Sequence, residues 1–155
     1  MGPRIRRAAL WEIIDLRHAV LRAGLPRDAA IFSGDELSTS RHYGAFTMDG
    51  DRAIAVGCAT FHLNQWEGSP AWQLRGMATS PEYRGKGVGR AMLGVADDDL
   101  VADSSATRQL WCNARTPAVG FYRTLGWAVV SEEFEIPTAG PHVRMIRTIG
   151  SAAAR

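Results

Sequence analysis

Arg84-Gly85-Lys86-Gly87-Val88-Gly89 follows a predicted strand, Trp72 to Thr79, and opens a predicted helix, Val88 to Leu100. Glycine reaches positive φ without steric penalty, so alternating glycines let the backbone turn tightly and bring its N–H groups close to a ligand. The helix N-terminus adds partial positive charge at the same place. Such a stretch is built to hold phosphate. Two familiar phosphate loops do not fit it. A Walker loop closes with Gly-Lys-Ser/Thr, whereas Lys86 is followed by Gly87 and Val88, leaving no hydroxyl for a metal. The dinucleotide pattern Gly-x-Gly-x-x-Gly places its third glycine one position later than Gly89. It also wants an acid at the end of a second strand, and Asp97 to Asp103 lies in or just after the helix instead.

What remains is Arg-x-x-Gly-x-Gly, from Arg84 through Gly87 to Gly89. It resembles the acetyl-coenzyme A pyrophosphate loop of the GNAT (Gcn5-related) N-acetyltransferases, whose pattern is Gln/Arg-x-x-Gly-x-Gly/Ala. The flanks agree: Gln73-Leu74-Arg75-Gly76-Met77-Ala78-Thr79 looks like that family's fourth strand, and Ser80-Pro81-Glu82-Tyr83 like the turn after it. A second stretch, Asn113 to Trp127 with Ala118, Phe121-Tyr122 and Leu125-Gly126, is similar to the family's Asn…Ala…Phe-Tyr…Leu-Gly-Phe signature, with Trp127 in place of the last aromatic. Phe-Tyr-x-x-Leu-Gly alone could be a core helix with its cap. Following a matching phosphate loop in one chain, it becomes specific.

Outward from these motifs the chain reads as an alternation of strands and helices. Ile5 to Ala8 suits a short edge strand, and Leu10 to Leu25 has helical apolar spacing, closed by Gly24 and Pro26. Pro26 to Ser40 has mixed periodicity and reads as a loop with one helical turn, either a roof for a substrate cleft or a plain surface connection. His42 to Met48 and Ala53 to Leu63 flank Asp49-Gly50-Asp51, a strong hairpin signal. Asn64 to Pro70 reads as a turn-rich connection. After the helix, closed by Asp97, Asp98 and Asp99, come a fifth strand at Arg108 to Cys112, a helix at Pro117 to Leu125, a sixth strand at Trp127 to Ile136 and a last strand at His142 to Ile149. The three acids oppose the helix dipole, so a frayed, solvated end is expected there. The resulting fold class is α/β. The resemblance implies the GNAT fold, a mixed central sheet of about six to seven strands with flanking helices and with the fourth and fifth strands splayed apart to receive the cofactor arm.

With 155 residues the chain suits one domain, 1–155, with 150–155 as a frayed tail. Net charge is only +2, which gives no electrostatic driver for nucleic acid. No apolar run approaches the ~20 residues of a membrane span, and no secretory core opens the chain, so a cytoplasmic location is expected. Cys58 and Cys112 lie in apolar strand-like runs outside any metal-spaced pair; buried free thiols and no metal are expected.

Acetyl transfer from a thioester to an amine needs the cofactor's diphosphate held, its carbonyl polarised and the departing thiolate protonated. The resemblance assigns the first task to the backbone of Gly85, Lys86, Gly87, Val88 and Gly89, with Arg84, Lys86 and Arg90 adding charge. It assigns the pantetheine arm to the backbone of Met77, Ala78 and Thr79 and to Asn113, which could otherwise be a helix-start residue. Tyr122 is the candidate general acid, because a phenol can donate to sulfur as charge develops; packing is its alternative role. No motif fixes a base. In some family members a carboxylate occupies the position of Gln73, and glutamine cannot take a proton. Glu133 and Glu135 would share one strand face by the period of two and could bind a cationic amine or draw a proton through water, or form a solvated acidic face. His142 and His62 have titratable rings, though a lone histidine is usually structural. The implied activity is acetyl-CoA-dependent acetylation of a primary amine on a small molecule or peptide, by direct attack. The alternatives are a non-catalytic acyl-CoA sensing module and an acyltransferase for longer acyl groups or hydroxyl acceptors. Residues 26–40, 64–70 and the 132–142 hairpin are expected on the acceptor side; the sequence leaves the oligomeric state open, with a homodimer through the C-terminal strands as one option.

Overall fold

The computed structural model describes residues 2–103 and 107–150; the expected frayed tail at 151–155 lies outside them. The elements run β1 (Arg4–Ala8), α1 (Leu10–Leu21), β2 (Arg41–Asp49), β3 (Arg52–Trp66), β4 (Ser69–Thr79), α2 (Val88–Ala102), β5 (Gln109–Arg115), α3 (Val119–Thr124), β6 (Ala128–Val129), β7 (Phe134–Ile136) and β8 (Gly140–Thr148). Short 3-10 turns occupy Arg27–Ala30, Pro81–Tyr83 and Thr116–Ala118. Strand order is β1-β2-β3-β4-β5-β8-β6, with β7 also on β8. No helix of the described residues is long and apolar enough to cross a membrane. Contacts gather into two compact units, Met1–His62 with Arg75–Asp99, and Leu63–Leu74 with Leu100–Arg155.

In the first unit β1 and β3 both pair antiparallel with β2, whose register with β3 shifts between Ala45 and Phe46. Gly50 (φ +64°) makes the tight turn between β2 and β3. Side chains alternate across the sheet, so neighbouring residues serve opposite helices. Cys58 packs with Ile13 of α1, Phe46 and Ala78, with Leu10, Leu16, Val20 and Leu21 of α1 around them. The next residue back, Gly57, faces α2: a Cβ there would sit 2.9 Å from a Val88 methyl and 3.3 Å from Met92 Cε. Helix α1 starts where the apolar period begins. Ala9 offers no capping side chain, but Glu12 Oε1 accepts the Ala9 N–H at 2.9 Å and also pairs with Arg6. The helix stops at Leu21 rather than reaching Leu25, since Arg22 has left helical geometry and Gly24 (φ +84°) turns the chain away.

The C-terminal end of α2 is a correction. The helix continues to Ala102, and Asp99, with its side chain 37% exposed, also has partners: it accepts the Tyr43 hydroxyl and pairs with Arg7 at 3.2 Å. These partners offset the dipole's opposition.

In the second unit β4 runs parallel to β5 over Trp72–Leu74 and Leu110–Cys112, and the ladder stops there. Strand β5 pairs antiparallel with β8 along its whole length, Gln109↔Thr148 to Arg115↔His142. The expected connection over 64–70 is instead a two-residue hairpin turn. Strand β3 continues to Trp66 and β4 begins at Ser69, because Glu67 (φ 49°) and Gly68 (φ 81°) both adopt the left-handed backbone that matches strand twist. The expected sixth strand is likewise two short ones. Strands β6 and β7 each pair with β8, and residues 130–133 break between them, giving eight strands instead of six or seven.

Candidate functional site

The phosphate-type loop lies, as read, between a strand and a helix. Gly85 (φ +74°) and Gly87 (φ +81°) are both left-handed, and a Cβ on either would meet no heavy atom within 4 Å. Arg84 to Gly87 are exposed, while Val88 is buried and anchors the start of α2. Gly87 O accepts the Ala91 N–H at 3.0 Å, so the N–H groups of Val88, Gly89 and Arg90 precede the first intrahelical bond. Left-handed residues in alternation leave such amides converging on one side, a concavity suited to an oxyanion. Arg84 is partly tethered, its Nε donating to Thr79 O at 3.2 Å, and Lys86 Nζ lies 5.4 Å from the Tyr83 ring. Arg90 is exposed.

Upstream, Met77 and Thr79 are half-buried at the end of β4, and Ala78 belongs to the core. Gly76 (φ +62°), which pattern reading passed over, is required here. A Cβ would come within 2.8 Å of Arg17 Nε and 3.0 Å of Phe32.

In the second unit, Asn113 sits inside β5 opposite Arg144 rather than at a helix start. Its Oδ1 is sealed from solvent with no hydrogen-bond partner among the described residues. Tyr122 lies on α3, its ring against Phe121 (5.2 Å) and Trp127 (5.4 Å). Its backbone carbonyl accepts the N–H groups of Leu125 and Trp127, and Gly126 (φ +91°) provides the turn that makes this possible. Tyr122 retains 7% exposure, and burial raises its phenol well above the ordinary tyrosine range. At neutral pH the hydroxyl therefore keeps its proton.

Glu133 and Glu135 are both exposed, Glu133 just before β7 and Glu135 within it, with half-buried Phe134 between them. His142 is buried, donates from Nδ1 to Gly140 O at 2.7 Å and lies beside Phe134. Cys58 and Cys112 are buried free thiols, each pushed up to about 12 by desolvation.

Sequence reading missed a buried polar network in the first unit. Arg17, on the core face of α1, donates from Nη1 to Asp35 Oδ2 (2.6 Å) and Ala30 O (2.8 Å), and from Nη2 to Thr60 Oγ1 (2.7 Å). Asp35 Oδ2 also accepts the Phe32 N–H at 2.7 Å, and its Oδ1 accepts His62 Nε2 at 2.8 Å. His42 completes the set: Nε2 donates to Asp35 O (2.9 Å), and Nδ1 accepts the Thr60 hydroxyl (2.8 Å). Burial alone would raise the Asp35 carboxyl, yet hydrogen bonds from His62 and Arg17, the Arg17 charge and the Phe32 amide outweigh it and hold Asp35 well below the usual carboxylate range. Three guanidinium groups surround the Phe32 ring, those of Arg17, Arg75 and Arg22 at 4.2, 4.5 and 5.1 Å. The only advance signal was the arginine at an α1 position where the period demands an apolar residue.

Comparison with known proteins agrees with this fold. The family model described as the Acetyltransferase (GNAT) family matches residues 9–127. An uncharacterised N-acetyltransferase of Bacillus subtilis (strain 168), YitI, is 29% identical over 145 residues, spanning 94% of this chain and 95% of its own. Among solved structures, Escherichia coli ElaA superposes with a TM-score of 0.72 at 19% identity, covering 93% of this chain and 99% of its own. An aminoglycoside 6'-N-acetyltransferase complexed with coenzyme A does so with 0.69 at 14% identity, covering 96% and 98%. The chain belongs to the GNAT acetyltransferase family, and its co-substrate is acetyl-CoA.

Proposed function

We propose that this GNAT chain transfers an acetyl group from acetyl-CoA to a primary amine of a small molecule or peptide, by direct attack of the amine. The single observation that carries the assignment is the open, doubly left-handed loop at Gly85 and Gly87 in front of α2. Its amides would hold the diphosphate, with Arg84, Lys86 and Arg90 supplying charge. By resemblance to the family the backbone of Met77 to Thr79 would bind the pantetheine amides; Asn113, in the second unit, keeps a buried Oδ1 without a partner among the described residues that could take the same kind of N–H donor. The thioester supplies an activated acyl carbon when bound. Tyr122 would give the departing sulfur its proton.

The near-complete burial of Tyr122 favours a second reading, an acyl-CoA sensing module in which this ring only packs. One experiment separates the two: free thiol release from acetyl-CoA, followed across a panel of alkyl diamines, aminosugars and lysine-containing peptides, with Tyr122→Phe alongside. Turnover that falls about 10²- to 10⁴-fold in the variant, at unchanged acetyl-CoA affinity, is the expected result. Tight acetyl-CoA binding without turnover on any amine would establish the sensor.

A further inference from the structure

An amine acceptor reaches neutral pH as an ammonium ion, and it must lose a proton before its nitrogen can attack. Gln73 cannot take that proton, and His142 is held by a backbone carbonyl rather than by a carboxylate. The first unit contains an imidazole already oriented for the task. His62, on β3, is fixed at Nε2 by Asp35 Oδ1, 2.8 Å away. Asp35 is ionised and itself immobilised by Arg17 and the Phe32 amide, so it accepts, and Nε2 is the ring nitrogen that carries hydrogen. The lone pair of the neutral ring is thereby placed on Nδ1.

Nδ1 has no hydrogen-bond partner among the described residues; the His62 side chain is buried, with 8% exposure, and Gly34 lies against this edge of the ring. Gly34, at φ +97°, has no side chain, and a Cβ there would stand 3.6 Å from Nδ1 and 3.7 Å from Cε1. His42 presents the contrasting case in the same network. Both of its ring nitrogens are occupied, by Thr60 and by the Asp35 carbonyl, so it can neither take nor give a proton without breaking the network. Asp35, from the loop after the first 3-10 turn, is the charged group that touches His62; Arg17 of α1 binds the same carboxylate, His42 of β2 interacts electrostatically with the ring, and Arg75 of β4 interacts with Asp35 and Arg17.

We infer that His62, oriented by Asp35, is the proton acceptor for the incoming amine, with Nδ1 as the accepting atom and Arg17 and Asp35 as positioning residues. The inference rests on the transferase reading above. An ammonium N–H bond breaks and an Nδ1–H bond forms. The freed lone pair then makes the N–C bond as the C–S bond breaks, the nitrogen gives up its second proton as the amide forms, and the sulfur takes up one proton and leaves as a thiol, so that one proton in all is released. The imidazolium produced keeps its Nε2–H on the Asp35 carboxylate and returns its proton to solvent.

The test is His62→Gln, whose amide can still donate to Asp35 but has no proton-accepting nitrogen. On the same amine panel kcat/KM at neutral pH should fall about 10²- to 10⁴-fold, with acetyl-CoA affinity by calorimetry and Tm close to wild type. Asp35→Asn, which loses the orienting charge, should move the acid limb of the wild-type pH profile, and His62→Gln should abolish that limb. An active wild type beside an equally active, folded His62→Gln variant overturns the assignment of His62 alone. A wild type that binds acetyl-CoA but acetylates no amine overturns the transferase reading and this inference with it.

Discussion

Arg17→Met is the substitution whose outcome can be worked furthest from the structure. The Arg17 and Asp35 side chains are both 0% exposed, and the pair is 2.6 Å apart. Methionine approximates the stem of arginine but leaves Asp35 as a buried anion facing only His62 and the Phe32 amide. It also strips Ala30 O and Thr60 Oγ1 of their guanidinium donor. Removing one partner of a buried ion pair costs about 3–5 kcal/mol. In a chain of this size 1 kcal/mol moves Tm by roughly 2–4 °C, so a fall of about 6–20 °C is expected by calorimetry. The double variant Arg17→Met/Asp35→Leu should recover part of the loss, since replacing both charges with apolar groups is often neutral; the orphaned Phe32 N–H keeps the recovery incomplete. The pH dependence has a definite sign. Asp35 is held below the ordinary carboxylate value, so its contribution is complete above an unfolded pKa of about 3.9 and fades as pH falls towards the lower folded value. Wild type should therefore lose stability below about pH 4 more steeply than the double variant, which has no carboxylate at that position. A Tm for Arg17→Met within 2 °C of wild type, or parallel acid limbs for the two proteins, would refute the reasoning.

Two further outcomes follow from the loop and the strands. Gly87→Ala forces a Cβ into left-handed backbone at φ +81°, at a cost of about 1–2 kcal/mol, yet meets no steric neighbour. The loop should relax away from its amide-converging shape, weakening acetyl-CoA binding at least about tenfold in calorimetry while the fold persists; unchanged affinity would remove the loop from the site. Cys58 and Cys112, both buried with thiols pushed up to about 12, should resist a thiol-reactive chromogen in native protein and react together on unfolding. Rapid labelling of either in the native state would contradict their burial.

Much of the fold was legible because it is written in local chemistry. Alternating glycines between a strand and a helix specify their own geometry, and Asp49-Gly50 specifies a turn, since only certain residues reach positive φ cheaply. The Glu67-Gly68 turn was obscured by its neighbours: Asn64, Gln65 and Pro70 read as loop, although β3 and β4 pair through them. The division at residues 130–133 was equally hidden, because the run from Trp127 to Ile136 keeps a strand-like composition through the break.

The sequence by itself therefore determined the family, the oxyanion-type loop and the order of elements, all consequences of backbone conformations that single residues impose. Only the tertiary structure decided which polar groups leave water together. Arg17, Asp35, His42, Thr60 and His62 come from one helix, one loop and two strands, and nothing in their spacing along the chain relates them. Their ionisation and hydrogen-bond direction are set by burial, and burial is a property of the packed sheet and helix rather than of any one segment.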